Sequence, residues 1–255
     1  AAAVEPAVPA CAAADGLRDI RDPSAPGSYE VADPIKVSIR EGSPPRTVTV
    51  FQPKGDNGAP YPIVLISPGF KVSPSQYKPF AIHLASWGYV AMVTRSLSGG
   101  SHDVMADRVQ QVLDHIVEEA QRPRSPLHGR ADPSTVGLAG HSLGGKLAFL
   151  LAIKEKAEGA DRVKTIFGID PVDDSSPRDP GPPQPSVTPE QMAQITVPFV
   201  ALGETLDQDC APASSNFAEF FAHAQSPARE IDMLRAGHMS FVADPGPLSC
   251  PACLF

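Results

Sequence analysis

The sequence has no uninterrupted apolar run of the 18 or more residues that a membrane-spanning helix needs. It is also short of basic residues, with 21 Lys and Arg against 29 Asp and Glu and a formal net charge of -8. Phosphate binding requires clustered Lys and Arg, so this balance argues against a nucleic-acid partner. The two shortages predict a protein without a membrane span and without a nucleic-acid function.

Cysteine is scarce as well, and the four cysteines lie near the chain ends or in predicted loops: Cys11, Cys210, Cys250 and Cys253. An even number in such places is typical of disulfides formed in an oxidising compartment, so we expect a secreted or periplasmic protein. Four cysteines allow three pairings, among which the sequence does not choose. No second Cys pair or His cluster lies near Cys250 and Cys253, which disfavours a zinc site. We expect no metal and no organic cofactor.

Proline and apolar residues, by contrast, are plentiful. The 29 prolines crowd the N-terminal stretch, residues 171–189 and the C-terminal tail, where regular structure is not expected. A hydrophobic fraction of 42% over 255 residues is enough for a sizeable core. We predict an irregular N-terminal arm over residues 1–30 and a single domain over residues 31–255.

Apolar runs alternate with helical patterns along that domain. Two alternating segments near residues 36–40 and 47–52 predict an antiparallel hairpin. Beyond it, continuous apolar runs predict buried strands at 62–67, 89–94, 135–139, 163–169 and 197–202, and a last strand at 230–234. Helices are predicted at 77–87, 105–121, 143–154 and 216–224. This alternation indicates an α/β fold with a mostly parallel central sheet and helices on both faces.

The motif Gly140-His-Ser-Leu-Gly-Gly falls between a predicted strand and a predicted helix. In the α/β-hydrolase fold such a strand–turn–helix presents a serine nucleophile in a strained conformation, with small residues two places on either side. We therefore predict Ser142 as the nucleophile. The N–H of Leu143, at the helix start, and the N–H of Phe70, in Ser67-Pro-Gly-Phe after an earlier strand, are the predicted oxyanion-hole donors.

A general base and an acid should follow the serine along the chain. His238, in a Gly-His-Met loop after the last strand, is the predicted base, while His141 should point away from the neighbouring serine hydroxyl group. Two aspartates qualify as the acid, because both follow predicted strands: Asp170 in Gly-Ile-Asp-Pro-Val-Asp and Asp207 in Gly-Glu-Thr-Leu-Asp. Spacing alone leaves both open. Tyr77 is predicted to border an apolar substrate pocket.

Four segments in order resemble the chlorophyllase family over roughly residues 60 to 245. These are Gly140-His-Ser-Leu-Gly-Gly-Lys, Gly168-Ile-Asp-Pro-Val-Asp, Cys210-Ala-Pro followed by Asn216 and Glu219-Phe-Phe, and Gly237-His-Met. The resemblance implies that Asp170 is the acid, and platelet-activating-factor acetylhydrolases similarly have an acid at this strand end. Bacterial cutinases are also similar, in the Ile-Ser-Pro-Gly-aromatic segment and in the Gly-x-x-Leu-Asp stretch, and the second stretch implies Asp207 instead. We favour Asp170, because the chlorophyllase-like segments are more numerous. Plant chlorophyllases typically carry Arg where this chain has Leu143.

The residues and the resemblance together predict a serine carboxylic-ester hydrolase that acts through an acyl-enzyme on an ester of a hydrophobic alcohol or acid. A secreted cutinase-like hydrolase of polyesters or lipids is the alternative enzyme. A non-catalytic binding protein on a hydrolase fold is the alternative from another class. The expected partner is a small-molecule or polymeric ester, and the sequence leaves the oligomeric state open.

Overall fold

A computed structural model describes residues 22–39, 46–97, 99–174, 184–206 and 210–244 of the chain. Over these residues the strands form one eight-stranded sheet in the order β1-β2-β4-β3-β5-β6-β7-β8. The strands are β1 Ile35–Ile39, β2 Arg46–Phe51, β3 Tyr61–Ser67, β4 Val90–Val93, β5 Ala131–His141, β6 Val163–Ile169, β7 Phe199–Glu204 and β8 Ala228–Met233. The pairs β1–β2 and β2–β4 are antiparallel, and every other neighbouring pair is parallel. The predicted mostly parallel α/β architecture is confirmed.

Four α-helices connect the described strands: α1 Lys78–Ser86, α2 His102–Gln121, α3 Leu143–Ala157 and α4 Phe217–Ala222. Short 3₁₀ helices lie at Pro74–Tyr77, Met192–Gln194 and His238–Phe241. Of the predicted N-terminal arm, residues 1–21 lie outside the described part of the chain. Residues 22–30 contain no helix or strand.

Two elements begin three or four residues earlier than their sequence patterns predict. Helix α2 starts at His102 rather than Met105, because its first turn is polar and carries Asp103, a residue favoured at a helix N-terminus but silent in an apolar pattern. Strand β5 starts at Ala131 rather than Thr135. Its pairing with β3 is irregular between Pro62 and Ile63, which allows a segment containing Pro133 to stay in the sheet.

The sheet separates two apolar clusters. In β3, Ile63 and Leu65 belong to a cluster with residues of α2, α3 and α4, whereas Ile66 belongs to a cluster with residues of α1. Val64 packs on the second cluster. Because successive strand residues point to opposite faces, this alternation places α1 on one face of the sheet and the other three helices on the opposite face.

The strand order sets the position of a crevice. From β3 the chain passes through α1 to β4, and from β5 it passes through α3 to β6, so two neighbouring strands send their connections in opposite directions. In a parallel sheet the carboxyl edge at such a switch point opens into a binding crevice. Phe70 follows β3 and Ser142 follows β5, which brings both to that edge.

Candidate active site

Ser142 lies in a sharp turn between β5 and α3, with φ 56° and ψ -125°. A positive φ is rare for a residue with a side chain, and the surrounding structure must hold it. The backbone supplies that support, since the Ser142 N–H donates to the Ile169 carbonyl oxygen (3.0 Å) while the N–H groups of Gly145 and Val172 donate to the Ser142 carbonyl oxygen (2.9 and 3.3 Å). The serine itself is half-buried.

Three glycines allow the strand, the turn and the helix to approach one another. A Cβ atom on Gly140 would lie 2.1 Å from the Gly144 carbonyl oxygen, and one on Gly144 would lie 2.1 Å from the Ser67 carbonyl oxygen. A Cβ atom on Gly145 would lie 2.8 Å from the Pro171 Cβ. No side chain fits at these distances. The predicted need for small residues around the serine is thus explained by backbone-to-backbone contact.

His238 and Asp170 form a buried pair. The His238 Nδ1–H donates to Asp170 Oδ2 over 2.6 Å, and the exposed fractions of the two side chains are 6% and 0%. Asp170 directly follows β6 with φ 43°, and its N–H donates to the Leu202 carbonyl oxygen. With Nδ1 as the donor, the Nε2 atom of the neutral ring is left as a proton acceptor.

The other predicted acid, Asp207, lies outside the described residues. Its role as the acid stays a prediction, whereas Asp170 is hydrogen-bonded to the histidine.

The two predicted oxyanion donors belong to segments that meet at the serine. Leu143 is the first residue of α3, and Phe70 follows Gly69, where an added Cβ atom would lie 3.3 Å from the Ser142 Cβ. Among the described residues, neither the Phe70 N–H nor the Leu143 N–H donates to another protein group. The Phe70 side chain is 44% exposed at this edge.

Tyr77, predicted at a substrate pocket, has no exposed surface. Its hydroxyl group lies 3.1 Å from the Gly69 nitrogen and 2.8 Å from His141 Nδ1. Burial raises the pKa of the Tyr77 hydroxyl group, which therefore keeps its proton.

The His141 side chain, expected to point away from the serine hydroxyl group, is fully buried. Its Nε2 atom lies 2.9 Å from the His238 carbonyl oxygen, and its ring centroid lies 4.6 Å from that of His238. Burial, and then the nearby His238, hold the pKa of His141 well below its usual range. Sequence reasoning gave His141 no role. The only signal was its place beside the serine, which does not reveal a contact with residues far along the chain.

A buried ion pair next to the site was also missed. Lys146, in the first turn of α3, lies 3.1 Å from Asp173 Oδ1, and neither residue is exposed. Burial lowers the pKa of Lys146. Burial raises the pKa of Asp173, but Lys146 and hydrogen bonds from Ser186, Thr188 and Val187 outweigh it and lower that pKa overall. Both residues occur in the motifs already singled out, but only the folded chain brings the motifs together.

The remaining sequence predictions concern cysteines, metals and membranes. Of the four cysteines only Cys210 is described, and it is half-buried, so the pairing of the cysteines stays a prediction. The described residues contain no group of three or more His, Cys, Asp or Glu side chains able to hold a metal ion. Within the same residues, no helix combines the length and apolar character needed to cross a bilayer.

The sheet order, the turn that carries Ser142 and the histidine after the last strand define an α/β-hydrolase fold. A model of the family described as Chlorophyllase matches residues 24–251, so the chain belongs to the chlorophyllase family. It is 27% identical to Chlorophyllase-2 of Arabidopsis thaliana over 79% of this chain and 66% of that protein. It is 24% identical to Chlorophyllase type 0 of Chenopodium album over 85% of this chain and 65% of that protein. The chain therefore spans about two thirds of the length of these relatives.

Proposed function

We propose that this protein is a serine carboxylic-ester hydrolase with Ser142 as nucleophile, His238 as general base and Asp170 as the acid that orients the histidine. The observation that carries the proposal is the buried 2.6 Å hydrogen bond between His238 Nδ1 and Asp170. This bond fixes the tautomer in which Nε2 can accept a proton. Family membership and the turn around Ser142 support the same assignment.

The reaction proceeds in two balanced halves. In the first, Ser142 Oγ forms a bond to the ester carbonyl carbon as its proton passes to His238 Nε2. The carbonyl oxygen becomes an oxyanion that accepts hydrogen bonds from the Phe70 and Leu143 N–H groups. The carbon–oxygen bond to the alcohol then breaks, and the alcohol leaves with the proton from His238. In the second half, water gives a proton to His238 as its oxygen forms a bond to the acyl carbon. The bond between that carbon and Ser142 Oγ then breaks, Oγ takes the proton back from His238, and the carboxylic acid leaves.

The test compares Ser142→Ala with Ser86→Ala on a p-nitrophenyl butyrate assay. Ser86 is a buried serine whose hydroxyl group donates to the His83 carbonyl oxygen in α1, away from the site. We expect Ser142→Ala to lose about 10⁵-fold or more of kcat with an unchanged circular-dichroism spectrum, because the nucleophile is gone. The Ser86→Ala variant should keep its activity. Full turnover by the Ser142→Ala variant would refute the mechanism.

We propose an ester with a hydrophobic acid or alcohol as the substrate. The edge that carries the site exposes Phe70 after β3, Leu206 after β7 and Leu234 after β8, and the last two are 62% and 78% exposed. Apolar groups at the mouth of a site favour an apolar substrate. The relatives are named chlorophyllases, so chlorophyll belongs in the substrate screen.

The same exposed groups favour a second candidate, a cutinase-like hydrolase of polyesters or lipids, because an insoluble substrate needs an open apolar rim. A screen of chlorophyll a, triacylglycerols and a polyester film, scored by kcat/KM or by released acid, separates the two. A binding protein on a hydrolase fold is the third candidate. It predicts no labelling of Ser142 by a fluorophosphonate, whereas both enzymes predict labelling.

We further propose that the protein works in a secreted or periplasmic compartment with its cysteines in disulfides. Cys210 follows β7 in the sequence, and a crosslink there would restrain the chain beyond this strand. Alkylation with iodoacetamide before and after reduction, followed by mass spectrometry, tests this. Four modified cysteines without reduction would contradict the proposal.

A further inference from the structure

We propose that Tyr77 and His141 are positioning residues that form a series of directed hydrogen bonds. The series links the loop after β3 that contains Gly69 and Phe70 (the oxyanion loop), the turn at Ser142 and the loop that contains His238. The proposal rests on the proposed ester hydrolase function, since it assigns a role to residues around that same site. Neither residue touches the reacting atoms.

The hydrogen bonds have a fixed direction. The His238 carbonyl oxygen can only accept, so the His141 Nε2 atom 2.9 Å away must carry a hydrogen. A neutral ring with a proton on Nε2 has a bare Nδ1, which accepts from the Tyr77 hydroxyl group 2.8 Å away. The Tyr77 oxygen atom in turn accepts from the Gly69 N–H over 3.1 Å. Reversing the bond between Tyr77 and His141 would place the ring proton on Nδ1 and leave the bare Nε2 facing the His238 carbonyl oxygen, so two buried acceptors would face each other.

The charge states support this direction. Burial lowers the pKa of His141 well below its usual range, which keeps the ring neutral. Burial raises the pKa of Tyr77, which keeps the hydroxyl group protonated. The series therefore runs Gly69 N–H to Tyr77 O–H to His141 Nδ1, and His141 Nε2–H to the His238 carbonyl oxygen.

Each end of this series of hydrogen bonds lies beside a proposed reacting group. Gly69 precedes Phe70, whose N–H is a proposed oxyanion donor, and His141 precedes Ser142. At the far end, the accepting carbonyl belongs to His238 itself, and the two imidazole rings pack with their planes at 35°. Sequence separations of 64 residues between Tyr77 and His141 and 97 between His141 and His238 show that no local structure could replace these links.

Close packing leaves this arrangement little freedom. A Cβ atom on Gly69 would lie 3.1 Å from His141 Nδ1, so the oxyanion loop already rests against the ring. The Ser96 hydroxyl group holds the other side of the same residue by donating to the Gly69 carbonyl oxygen over 2.9 Å. Loss of the tyrosine hydroxyl group would leave the Gly69 N–H and His141 Nδ1 buried without partners, and the loop would shift to satisfy them.

Tyr77→Phe with Tyr61→Phe as its control tests the series of hydrogen bonds. Tyr61 is also a buried tyrosine, and its hydroxyl group donates to the Asn57 carbonyl oxygen near the start of β3, at the opposite end of the strand from Gly69. For Tyr77→Phe we expect a fall of about 10- to 100-fold in kcat on p-nitrophenyl butyrate with KM within about twofold, since the oxyanion forms only in the transition state. Affinity for a trifluoromethyl ketone, which forms a tetrahedral adduct with the serine, should fall in parallel. The Tyr61→Phe variant should match the wild type in both measurements.

Two variants of His141 separate the effect of its bond to Tyr77 from the effect of its bond to His238. His141→Gln keeps an N–H near the Nε2 position, while His141→Phe keeps neither polar atom. We expect the Gln variant to recover at least about threefold in kcat over the Phe variant, because it can still hold the His238 carbonyl oxygen. If His141 variants do not fold, the Tyr77→Phe result decides.

A purely structural role would lower the melting temperature of Tyr77→Phe while kcat and inhibitor affinity stayed within twofold of wild type, and that result would overturn the inference. A change confined to KM would also overturn it. The Ser142→Ala variant separates the two proposals. If it is inactive while Tyr77→Phe is fully active, only the series of hydrogen bonds is refuted, whereas an active Ser142→Ala variant refutes the hydrolase mechanism itself.

Discussion

The Lys146 ammonium group lies 3.1 Å from the Asp173 carboxylate, with side-chain exposures of 0% and 4%. The lysine also donates to the Asp173 carbonyl oxygen. The carboxylate accepts further hydrogen bonds from the Ser186 hydroxyl group (2.6 Å) and the Thr188 N–H (2.8 Å). This pair joins the first turn of α3, which follows the nucleophile, to the loop that follows Asp170. A buried pair so well satisfied is costly to break from one side only.

The first prediction concerns the cost of removing only one partner of this ion pair. Replacing Lys146 with Met should lower the free energy of unfolding by about 3 to 5 kcal/mol, because the Asp173 charge stays buried without its partner. The double variant Lys146→Met/Asp173→Asn should recover part of the loss. Urea denaturation measures both. As a control, Lys164→Met breaks an exposed pair with Asp161 and should change stability by less than about 1 kcal/mol. Equal effects at the two lysines would contradict the argument.

The second prediction decides the acid. We expect Asp170→Asn to lower kcat by about 10³- to 10⁴-fold with little change in KM, because an amide cannot hold the histidine in the productive tautomer or stabilise its cation. The comparison is Asp207→Asn, which should stay within about threefold of wild type. Steady-state kinetics on p-nitrophenyl butyrate measures both, and a larger fall at position 207 would reverse the assignment.

The third prediction tests the close approach of α3 to Pro171, the residue that follows Asp170. Alanine normally stabilises a helix by up to about 1 kcal/mol relative to glycine. At Gly145, however, the new Cβ atom would lie 2.8 Å from the Pro171 Cβ and 2.9 Å from the Pro171 Cα. We therefore expect Gly145→Ala to lower the free energy of unfolding by about 1 to 3 kcal/mol and to reduce kcat.

Gly137→Ala is the matched control for this variant, since its Cβ atom would meet Thr165 at an ordinary 3.5 Å. Thermal denaturation and the ester assay should show a clear loss for Gly145→Ala and a change within about 1 kcal/mol for Gly137→Ala. A stabilised and fully active Gly145→Ala variant would mean that the helix can move away from Pro171 at no cost.

The fourth prediction concerns acid sensitivity. Burial, and then the positive charge of Lys146, lower the pKa of His102 from 6.5 to about 4. Between these two pH values the unfolded chain therefore binds a proton at His102, whereas the folded chain does not. The free energy of unfolding is unaffected by this proton above pH 6.5 and decreases as the pH falls from 6.5 towards 4. His141, whose pKa is also lowered by burial, acts in the same direction.

The measurement is urea denaturation of wild type and His102→Gln at pH 7 and pH 5. Between these pH values the wild type should lose about 1 to 2 kcal/mol more stability than the variant. His128→Gln, at an exposed position, should behave as the wild type does. Identical pH dependence of His102→Gln and wild type would show that His102 is not buried in its neutral form.

Much of the fold could be predicted because it depends on local patterns. The apolar run Val163–Ile169 predicts a strand and forms β6 with the same bounds. The helix after Ser142 begins at Leu143 as its motif indicates, although it continues to Ala157 rather than Lys154. The patterns failed where an element's end is polar, as at the start of α2, or where a strand is irregular, as at the start of β5.

The same distinction between local patterns and long-range contacts applies to the candidate site. A glycine-flanked serine between a strand and a helix can be recognised from the sequence alone, because the close approach of strand and helix requires small residues beside it. The bond between Asp170 and His238, the Tyr77–His141 hydrogen bonds and the Lys146–Asp173 ion pair all join residues far apart along the chain. Only the order of the strands in the sheet brings these residues together. The energy of each contact depends on the distance between its two residues, and a local sequence pattern gives no information about that distance.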